Sequence, residues 1–193
     1  IATPQIFQAR DREIAEEAFP GDIIGLHDSG KLQIGDTFTE GKKIMYSGIP
    51  AFAPELFRKV ALKDPLKAKH LDKGLRQLSE EGATQLFIRV VTGEKMLGAV
   101  GSLQFEVVKF RLEDEYNVQA DYESTPFIGV RWLKFVDKKQ EDKFKSDFGG
   151  NMLTDGKERL CYGVKSPWDL QLCIEKNPEV KFFKNSDYIE NHH

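Results

Sequence analysis

Seven residues near the N-terminus have the spacing of a phosphate-binding loop. Gly25, Gly30 and Lys31 fit the pattern GxxxxGK, in which backbone N–H groups and a lysine hold the phosphates of a nucleotide. The pattern then requires serine or threonine as a ligand of Mg²⁺, but Leu32 stands there. The residues that follow indicate a strand and a turn, so no helix N-terminus faces a bound phosphate. We therefore predict a glycine turn between strands and no nucleotide site.

A second glycine-led segment, residues 101–111, offers another loop that a phosphate could enter. It resembles the substrate loop of acylphosphatases, which are small enzymes built on a βαββαβ sandwich. That loop needs glycine directly after its glutamine, so that the backbone can wrap around the phosphate. Phe105 follows Gln104 here, and the segment is predicted to form a helix instead of an active site.

The other reactive side chains lack the spacing of a site. His27 and His70 stand far apart, and eleven residues separate Cys161 from Cys173 with no histidine cluster beside them, so no zinc site is expected. We expect the cysteines to be small hydrophobic residues in a reducing compartment. Residues 189–193 resemble the remnant of a purification tag and are set aside. No catalytic residue, metal ligand or cofactor-binding residue is predicted in this chain.

A basic helix is the candidate for binding. Lys69, Lys73 and Arg76 follow the spacing i, i+4, i+7 and share one face of a predicted helix. Lys67 lies roughly 160° round the helix from Lys69, at about 100° per residue. Such a face can contact a nucleic-acid phosphate backbone, and it can equally be a solvated face.

Composition indicates an ordered protein of modest size. The 193 residues suffice for one domain or two small ones, and 40% of them are hydrophobic. The net charge of −3 disfavours a general polyanion binder, but the charge is uneven: residues 1–47 hold five Lys/Arg against eight Asp/Glu, and residues 48–193 hold 23 of each. No apolar run approaches the roughly 20 residues of a membrane span, and no signal peptide is recognised, so a cytoplasmic location is expected.

Short β-strands are predicted in residues 1–47, separated by turns that contain glycine or proline. Forty-seven residues are too few to close a barrel, so we predict the tail of a larger one. Tyr46–Pro50 is predicted to be a linker. The predicted strands are 6–9, 23–26, 32–34 and 37–39.

The order β-α-β-β-α-β is predicted for residues 54–124, which is the ferredoxin-like sandwich. Asp64 and Ser102 are predicted to cap the two helices, and Gly82 to end the first of them. The predicted strands are 54–62, 85–91, 96–100 and 118–122. The side chains predicted to face the sheet are Ala68, Leu71, Leu75 and Leu78 on the first helix and Leu103, Val107 and Phe110, flanked by Val108 and Leu112, on the second.

A second unit of the same element order is predicted for residues 125–188. The sequence shows no repeat between the two units, only a similar order of elements. Trp168, Leu172 and Cys173 are predicted to point inward from the last helix. The predicted strands are 127–136, 151–154, 159–164 and 180–183, and the predicted helices are 138–148 and 166–174.

Several segments resemble one class of translation factors. Residues 18–27 (AFPGDIIGLH) and 34–37 (IGDT) are similar to the end of the second, barrel domain of translational GTPases. Residues 98–106 (GAVGSLQFE) and 115–118 (EYNV) are similar to the glycine-led helix of their third domain.

Two further segments narrow the resemblance to the bacterial peptide chain release factor 3 family. These are residues 48–57 (GIPAFAPELF) and 78–83 (LSEEGA). The resemblance covers about residues 10 to 185, nearly the whole chain. It implies an α+β fold in which residues 1–47 end barrel domain II and residues 48–193 form the C-terminal domain III.

The resemblance also implies a function. The whole protein would be a cytoplasmic, ribosome-associated GTPase that promotes the departure of codon-reading release factors in translation termination. Its partners would be ribosomal RNA and ribosomal proteins, the release factors indirectly and its own GTP-binding domain, with no membrane. The ribosome contacts predicted in this chain are Lys67, Lys69, Lys73 and Arg76.

GTP and Mg²⁺ would bind in a domain N-terminal to Ile1. Asp22–Gly25 fits the DxxG pattern of GTPases but overlaps the false phosphate loop, and no Asn-Lys-x-Asp motif occurs. This chain is therefore expected not to be an enzyme. Its linker, Tyr46–Pro50, would act as a hinge through which the nucleotide state reorients the C-terminal domain.

Two alternatives come from other function classes. A stand-alone RNA- or protein-binding module would present paired aromatic residues on the middle strands of its sheet, but only Phe87 is offered there. A small enzyme would need a recognisable site, and none is found.

Overall fold

The computed structural model describes residues 5–8, 11–14, 17, 19–25, 37–42 and 53–186. Contacts divide the chain into two units, Ile1–Gly48 and Ile49–His193. No helix in the described part of the chain is long and apolar enough to cross a membrane. The predicted strand 32–34, the false phosphate loop after Gly25 and the linker Tyr46–Pro50 lie outside the described residues.

The N-terminal unit contains a three-stranded antiparallel sheet. Its strands are Gln5–Gln8 (β1), Asp11–Ile14 (β2) and Ile24–Gly25 (β3), in the order β2-β1-β3. A turn precedes β3, where the Asp22 carboxylate accepts a hydrogen bond from the Phe19 N–H at 2.8 Å. β2 was not predicted, and residues 37–39, predicted as a strand, form none.

The C-terminal unit is built on one eight-stranded antiparallel sheet. Its first half shows the predicted β-α-β-β-α-β order in Leu56–Leu62 (β4), Ala68–Glu80 (α1), Gln85–Arg89 (β5), Lys95–Ala99 (β6), Leu103–Tyr116 (α2) and Ala120–Glu123 (β7). The second half repeats that order in Gly129–Lys134 (β8), Lys138–Phe148 (α3), Met152–Asp155 (β9), Leu160–Val164 (β10), Pro167–Lys176 (α4) and Lys181–Phe183 (β11). The α+β fold class is therefore confirmed.

The two halves join edge to edge into a continuous sheet. The strand order is β11-β8-β10-β9-β5-β6-β4-β7, so each half has the ferredoxin-like arrangement and contributes its second strand, β5 or β9, to the junction. Phe87 pairs with Asp155 across that junction and Ile88 with Thr154. Because directly paired residues share a face, this register places all four helices on one side of the sheet.

Each half has its own core between its helices and the sheet. In the first half, Leu71, Leu75 and Leu78 of α1 pack with Val108 and Leu112 of α2 over the strands. In the second half, Phe144 of α3 and Cys173 of α4 pack with Leu133, Met152 and Tyr162 of the strands.

A third core covers the side of the sheet that carries no helix. Its members are Phe57, Phe87, Met96, Phe127, Val130, Trp132, Leu153 and Cys161, all of them buried. The Phe87 and Trp132 ring centroids are 6.0 Å apart although two strands separate β5 from β8. Strands lie about 4.8 Å apart, so a flat sheet would hold these strands roughly 14 Å apart. The two rings therefore reach toward each other over β9 and β10, and side chains of both halves form one core on the helix-free side of the sheet.

The halves share close details that the sequence does not reveal. The first residue of the first strand pairs with the last residue of the third strand in both halves: Leu56 with Ala99, and Gly129 with Val164. In each half, the N–H of the preceding residue donates to the carbonyl of that last residue, Glu55 to Ala99 and Ile128 to Val164. Asp64 and Asp137 each cap the segment that begins the first helix of their half. The C-terminal unit thus repeats one structural module twice.

Two helix faces differ from the prediction. Leu103, Val107 and Phe110 of α2 are exposed, and the buried face carries Phe105, Val108 and Leu112. Both faces of α2 are apolar, so periodicity alone could not choose between them. The close crossing with α1 determines which face of α2 is buried. A Cβ on Gly74 of α1 would lie 2.7 Å from Leu112 Cδ2, so the absence of a side chain at Gly74 lets Leu112 pack there.

On α4, Trp168 is exposed although it was predicted to point inward, and Leu172 is half-buried, whereas Cys173 is buried as predicted. Trp168 is the second residue of α4 and stands on its outward face.

Ser102 does not cap α2 with its side chain. Gln104 supplies the bonds instead: its Oε1 accepts from the N–H groups of Val100 and Gly101 at 2.8 and 3.0 Å. Its Nε2 donates to the Ala83 carbonyl at 2.9 Å and so ties the start of α2 to the end of the α1 connection.

Candidate functional site

The predicted basic residues lie on and just before α1. A 3-10 turn, Pro65–Lys67, leads into the helix, and the Asp64 carboxylate accepts from the Leu66 N–H at 3.0 Å. One face of α1 is apolar and buried, which leaves the opposite face to polar side chains. Glu80 ends the helix, and Gly82 follows in a left-handed conformation, φ +80°.

Lys69 and Lys73 form the exposed part of the predicted basic face. They stand one turn apart, with exposed His70 between them. Neither lysine makes a hydrogen bond or ion pair with the residues that the structure describes. Two unengaged cations at this spacing suit contacts to adjacent phosphates of a nucleic acid.

The other two predicted residues are engaged within the protein. The Lys67 ammonium donates to the Asn117 carbonyl at 2.5 Å, where Asn117 ends α2 in a left-handed conformation. Arg76 Nε donates to Asp72 Oδ2 at 3.3 Å, and the Lys95 ammonium lies 3.5 Å from the other oxygen of Asp72. The structure thus leaves two of the four cations, Lys69 and Lys73, without such partners among the described residues.

A second exposed lysine pair was not predicted as a site. On α3, Lys138 pairs with Glu141 at 2.7 Å and Lys145 pairs with the same carboxylate at 2.5 Å. Lys139 and Lys143 remain exposed, one turn apart, with no ion pair among the described residues. The sequence shows the i, i+4 spacing of Lys139 and Lys143. It does not show that the nearby Lys138 and Lys145 form ion pairs whereas, among the described residues, Lys139 and Lys143 do not.

A charged cluster lies on the helix-free side of the first half. The Lys59 ammonium is 2.9 Å from Glu94 Oε1 and 3.2 Å from Glu123 Oε2. Thr92 and Arg89 also donate to Glu94, each at 2.9 Å. These bonds, led by the one from Lys59, lower the pKa of Glu94 to about 2.

Arg89 links this cluster to the second half. Besides its bond to Glu94, it donates to the Gly150 carbonyl at 2.8 Å, and its guanidinium carbon lies 5.7 Å from the centre of the Phe127 ring. The cluster is held by internal bonds on every side, which favours a structural role over ligand binding.

The potentially reactive groups are buried or bonded. Cys161 and Cys173 are free thiols and fully buried, and burial raises the pKa of each, that of Cys173 to about 11. The Tyr162 hydroxyl donates to Asp169 Oδ2 at 3.0 Å and accepts from Asn151 Nδ2 at 3.0 Å, and burial raises its pKa. No group of three or more His, Cys, Asp or Glu side chains suited to a metal ion occurs among the described residues.

The sheet is not available for stacking RNA bases. Phe57, Phe87 and Trp132 lie on its helix-free side, where an RNA-recognition sheet presents its aromatic residues. All three are buried in the core on the helix-free side of the sheet, which we call the helix-free core.

Comparison with known proteins agrees with this architecture. Residues 46–174 match the family model of the class II release factor RF3, C-terminal domain, and residues 1–41 match that of elongation factor G domain 2. A crystal structure of a protein from Thermus thermophilus is similar in fold, with a TM-score of 0.50 and 22% sequence identity over 70% of this chain.

That similarity covers 23% of the Thermus protein, so the chain spans about a quarter of its length. The release factor match alone covers well over half of the chain and includes the first half of the C-terminal unit and most of the second. The chain therefore belongs to the class II release factor RF3 family, within the translational GTPases, and carries the C-terminal domain of that family.

Proposed function

We propose that this chain is the non-catalytic C-terminal portion of a cytoplasmic, ribosome-associated GTPase that acts in translation termination. The whole protein would promote the departure of codon-reading release factors after the peptide is freed. GTP and Mg²⁺ would be bound by a domain N-terminal to Ile1. The two family matches, which together cover most of residues 1–174, support this proposal.

The proposed role of the chain itself is to bind the ribosome. The observation that carries this role is the pair of exposed lysines on α1, Lys69 and Lys73, which have no internal partner among the described residues. Ribosomal RNA presents phosphates along its backbone, and each lysine that neutralises one releases counterions. Lys67 and Arg76, whose internal bonds compete with RNA, would contribute less.

Transmission of the nucleotide state is the second part of the proposal. The two contact-defined units, with the predicted linker Tyr46–Pro50 at their boundary, support a hinge there. Small-angle scattering of the intact protein with GDP and with a GTP analogue would measure the reorientation. Superimposable curves would exclude a large reorientation in free solution.

Cosedimentation with purified ribosomes tests the ribosome contact directly. We expect K69E/K73E to weaken binding of the chain and to make the slope of log K against log salt shallower by roughly 1.4 to 1.8, because each lost phosphate contact contributes about 0.7 to 0.9. The matched control is K139E/K143E, which makes the same charge change at the same spacing on α3.

The two variants separate a site from general attraction. Loss of binding in K69E/K73E alone supports the α1 face. Equal losses in both variants would mean non-specific attraction to RNA and would contradict the proposed site. Normal release-factor departure by the intact protein bearing K69E/K73E, measured with ribosomes, would contradict the functional importance of the α1 face.

A stand-alone RNA-binding module is the weaker alternative. Its sheet would need exposed aromatic residues, and those of the helix-free side are buried. Binding of a free single-stranded RNA as tightly as the ribosome would favour this alternative.

A further inference from the structure

Helix α2 is apolar on two opposite faces, and only one of them is covered. Phe105, Val108 and Leu112 pack into the core of the first half. On the other side, Leu103, Val107 and Phe110 are 77%, 50% and 67% exposed. These three follow i, i+4, i+7 and form a continuous stripe along the helix. We call these three residues the α2 stripe.

Exposed apolar residues scattered singly are common, but a stripe of three large side chains on one helix face is typical of an interaction surface. The three residues are not exposed for lack of a core to pack in, because the opposite face of α2 already packs into the core of the first half. The core of the first half therefore does not include the α2 stripe.

Unpaired acidic residues border the α2 stripe. Glu106 and Asp114 are exposed and make no ion pair with the described residues, and Glu113 accepts only from the Gln119 amide at 2.9 Å. Of the cations on the same helix, Lys109 is engaged by Asp121 at 2.8 Å, a carboxylate that also pairs with Lys63 at 3.2 Å.

Arg111, the other cation of α2, is engaged by two carboxylates. It pairs with Glu81 at 2.5 Å and with Glu115 of the next turn. The outward face of α2 is thus apolar in the middle and negative at its borders.

We propose that the α2 stripe docks a basic protein segment, in which apolar side chains are flanked by lysine or arginine. Complementary charge selects this occupant. Nucleic acid is disfavoured because its phosphates would meet Glu106, Glu113 and Asp114. A second copy is disfavoured because it would bring the unpaired carboxylates of two α2 helices, Glu106, Glu113 and Asp114 of each, to one interface.

This surface is separate from the lysine pair of α1, and the proposal does not depend on the proposed function.

Peptide binding to the 193-residue chain tests the proposal. The probes are a short fluorescent amphipathic peptide of leucine and lysine and the same peptide with glutamate in place of every lysine, compared by anisotropy. We expect the lysine peptide to bind and the glutamate peptide not to bind. V107S/F110S should weaken binding of the lysine peptide by at least about tenfold.

The controls distinguish the α2 stripe from general adhesion. W168S changes an equally exposed aromatic residue, 73% exposed on α4, and should leave binding unchanged. E106Q/D114N should keep the apolar contact but reduce the salt dependence. Thermal unfolding of each variant checks that the fold is retained.

Three outcomes would overturn the proposal. One is equal binding of both peptides, and another is unchanged binding by V107S/F110S. The third is concentration-dependent dimerisation, seen by sedimentation and abolished in V107S/F110S, which would identify a second copy as the occupant.

Discussion

The indole N–H of Trp132 donates to the carboxylate of Asp155 at 2.9 Å inside the C-terminal unit. Asp155 also accepts from Arg159 Nε at 2.8 Å and from the N–H groups of Lys157 and Arg159 at 3.0 and 2.9 Å. One buried carboxylate thus satisfies the indole of the helix-free core and closes the turn between β9 and β10.

Replacing Asp155 by alanine should destabilise the chain strongly. The variant leaves the Trp132 N–H buried without Asp155 as its acceptor and removes the salt bridge between Asp155 and Arg159, so we expect a loss of about 2–4 kcal/mol in the free energy of unfolding. Urea unfolding followed by tryptophan fluorescence measures it.

An exposed aspartate provides the control for that prediction. D147A, on the exposed side of α3, should stay within about 0.5 kcal/mol of the parent chain. A loss in D155A no larger than in D147A would show that the Asp155 bonds contribute nothing net.

Two glycines should resist substitution by alanine because their neighbours occupy the Cβ position. A Cβ on Gly98 would lie 2.8 Å from the Pro54 ring, and one on Gly163 would lie 2.6 Å from the Phe127 ring. We expect G98A and G163A each to lower the free energy of unfolding by about 1–3 kcal/mol, since the packed ring must move.

Gly129 is the matched control because it lies in the adjacent strand, β8, and its nearest neighbours would be 3.8 Å from a Cβ. G129A should be neutral or slightly stabilising, by up to about 1 kcal/mol, through loss of unfolded-state entropy. Equal effects in G163A and G129A would exclude close packing as the cause.

The local elements of residues 54–183 were predictable because their boundaries carry strong signals. Asp64 accepts an N–H bond where the first helical segment begins, as predicted, and Asp137 and Ser166 do so at the starts of α3 and α4, close to the predicted starts of those helices. By contrast, β2 escaped prediction because Asp11, Arg12 and Glu13 give it no apolar alternation. Signals of this kind act within a few residues of the chain, and so they report short-range structure only.

The relations between distant segments could not be predicted in the same way. The pairing of β5 with β9 and the helix-free core that follows from it depend on edges far apart in the sequence. The outward face of α2 was mistaken for the inward one because both are apolar. For the candidate site, spacing grouped four cations, but only the fold shows that Asn117 and Asp72 engage two of them.

Stability should fall in acid through Glu94. Its pKa is lowered to about 2 by the bonds from Lys59, Thr92 and Arg89, against 4.5 for the ordinary group. The unfolded chain therefore binds more protons between these values, so the stabilisation is present above pH 4.5 and is lost as the pH falls toward 2. In E94Q, the free energy of unfolding should decline less steeply over this range.

The comparison for E94Q is E80Q, which removes the same charge at an exposed position of α1 without an ion pair among the described residues. E80Q should keep the acid dependence of the parent chain. If the free energy of unfolding of E94Q and E80Q changed with pH in the same way, the Lys59–Glu94 bond would not contribute to the acid dependence of stability.

The two thiols should be unreactive until the chain unfolds. Cys161 and Cys173 are fully buried in different cores, and burial raises the pKa of both, so the thiolate that attacks a disulfide reagent is scarce at neutral pH. We expect almost no reaction with Ellman's reagent in the folded chain and release of two equivalents in guanidinium, because the chain has only two cysteines. The reaction rate below the unfolding transition then reports opening of each core, and C161A and C173A assign the two phases. Rapid reaction of one equivalent in the folded chain would contradict burial of that thiol.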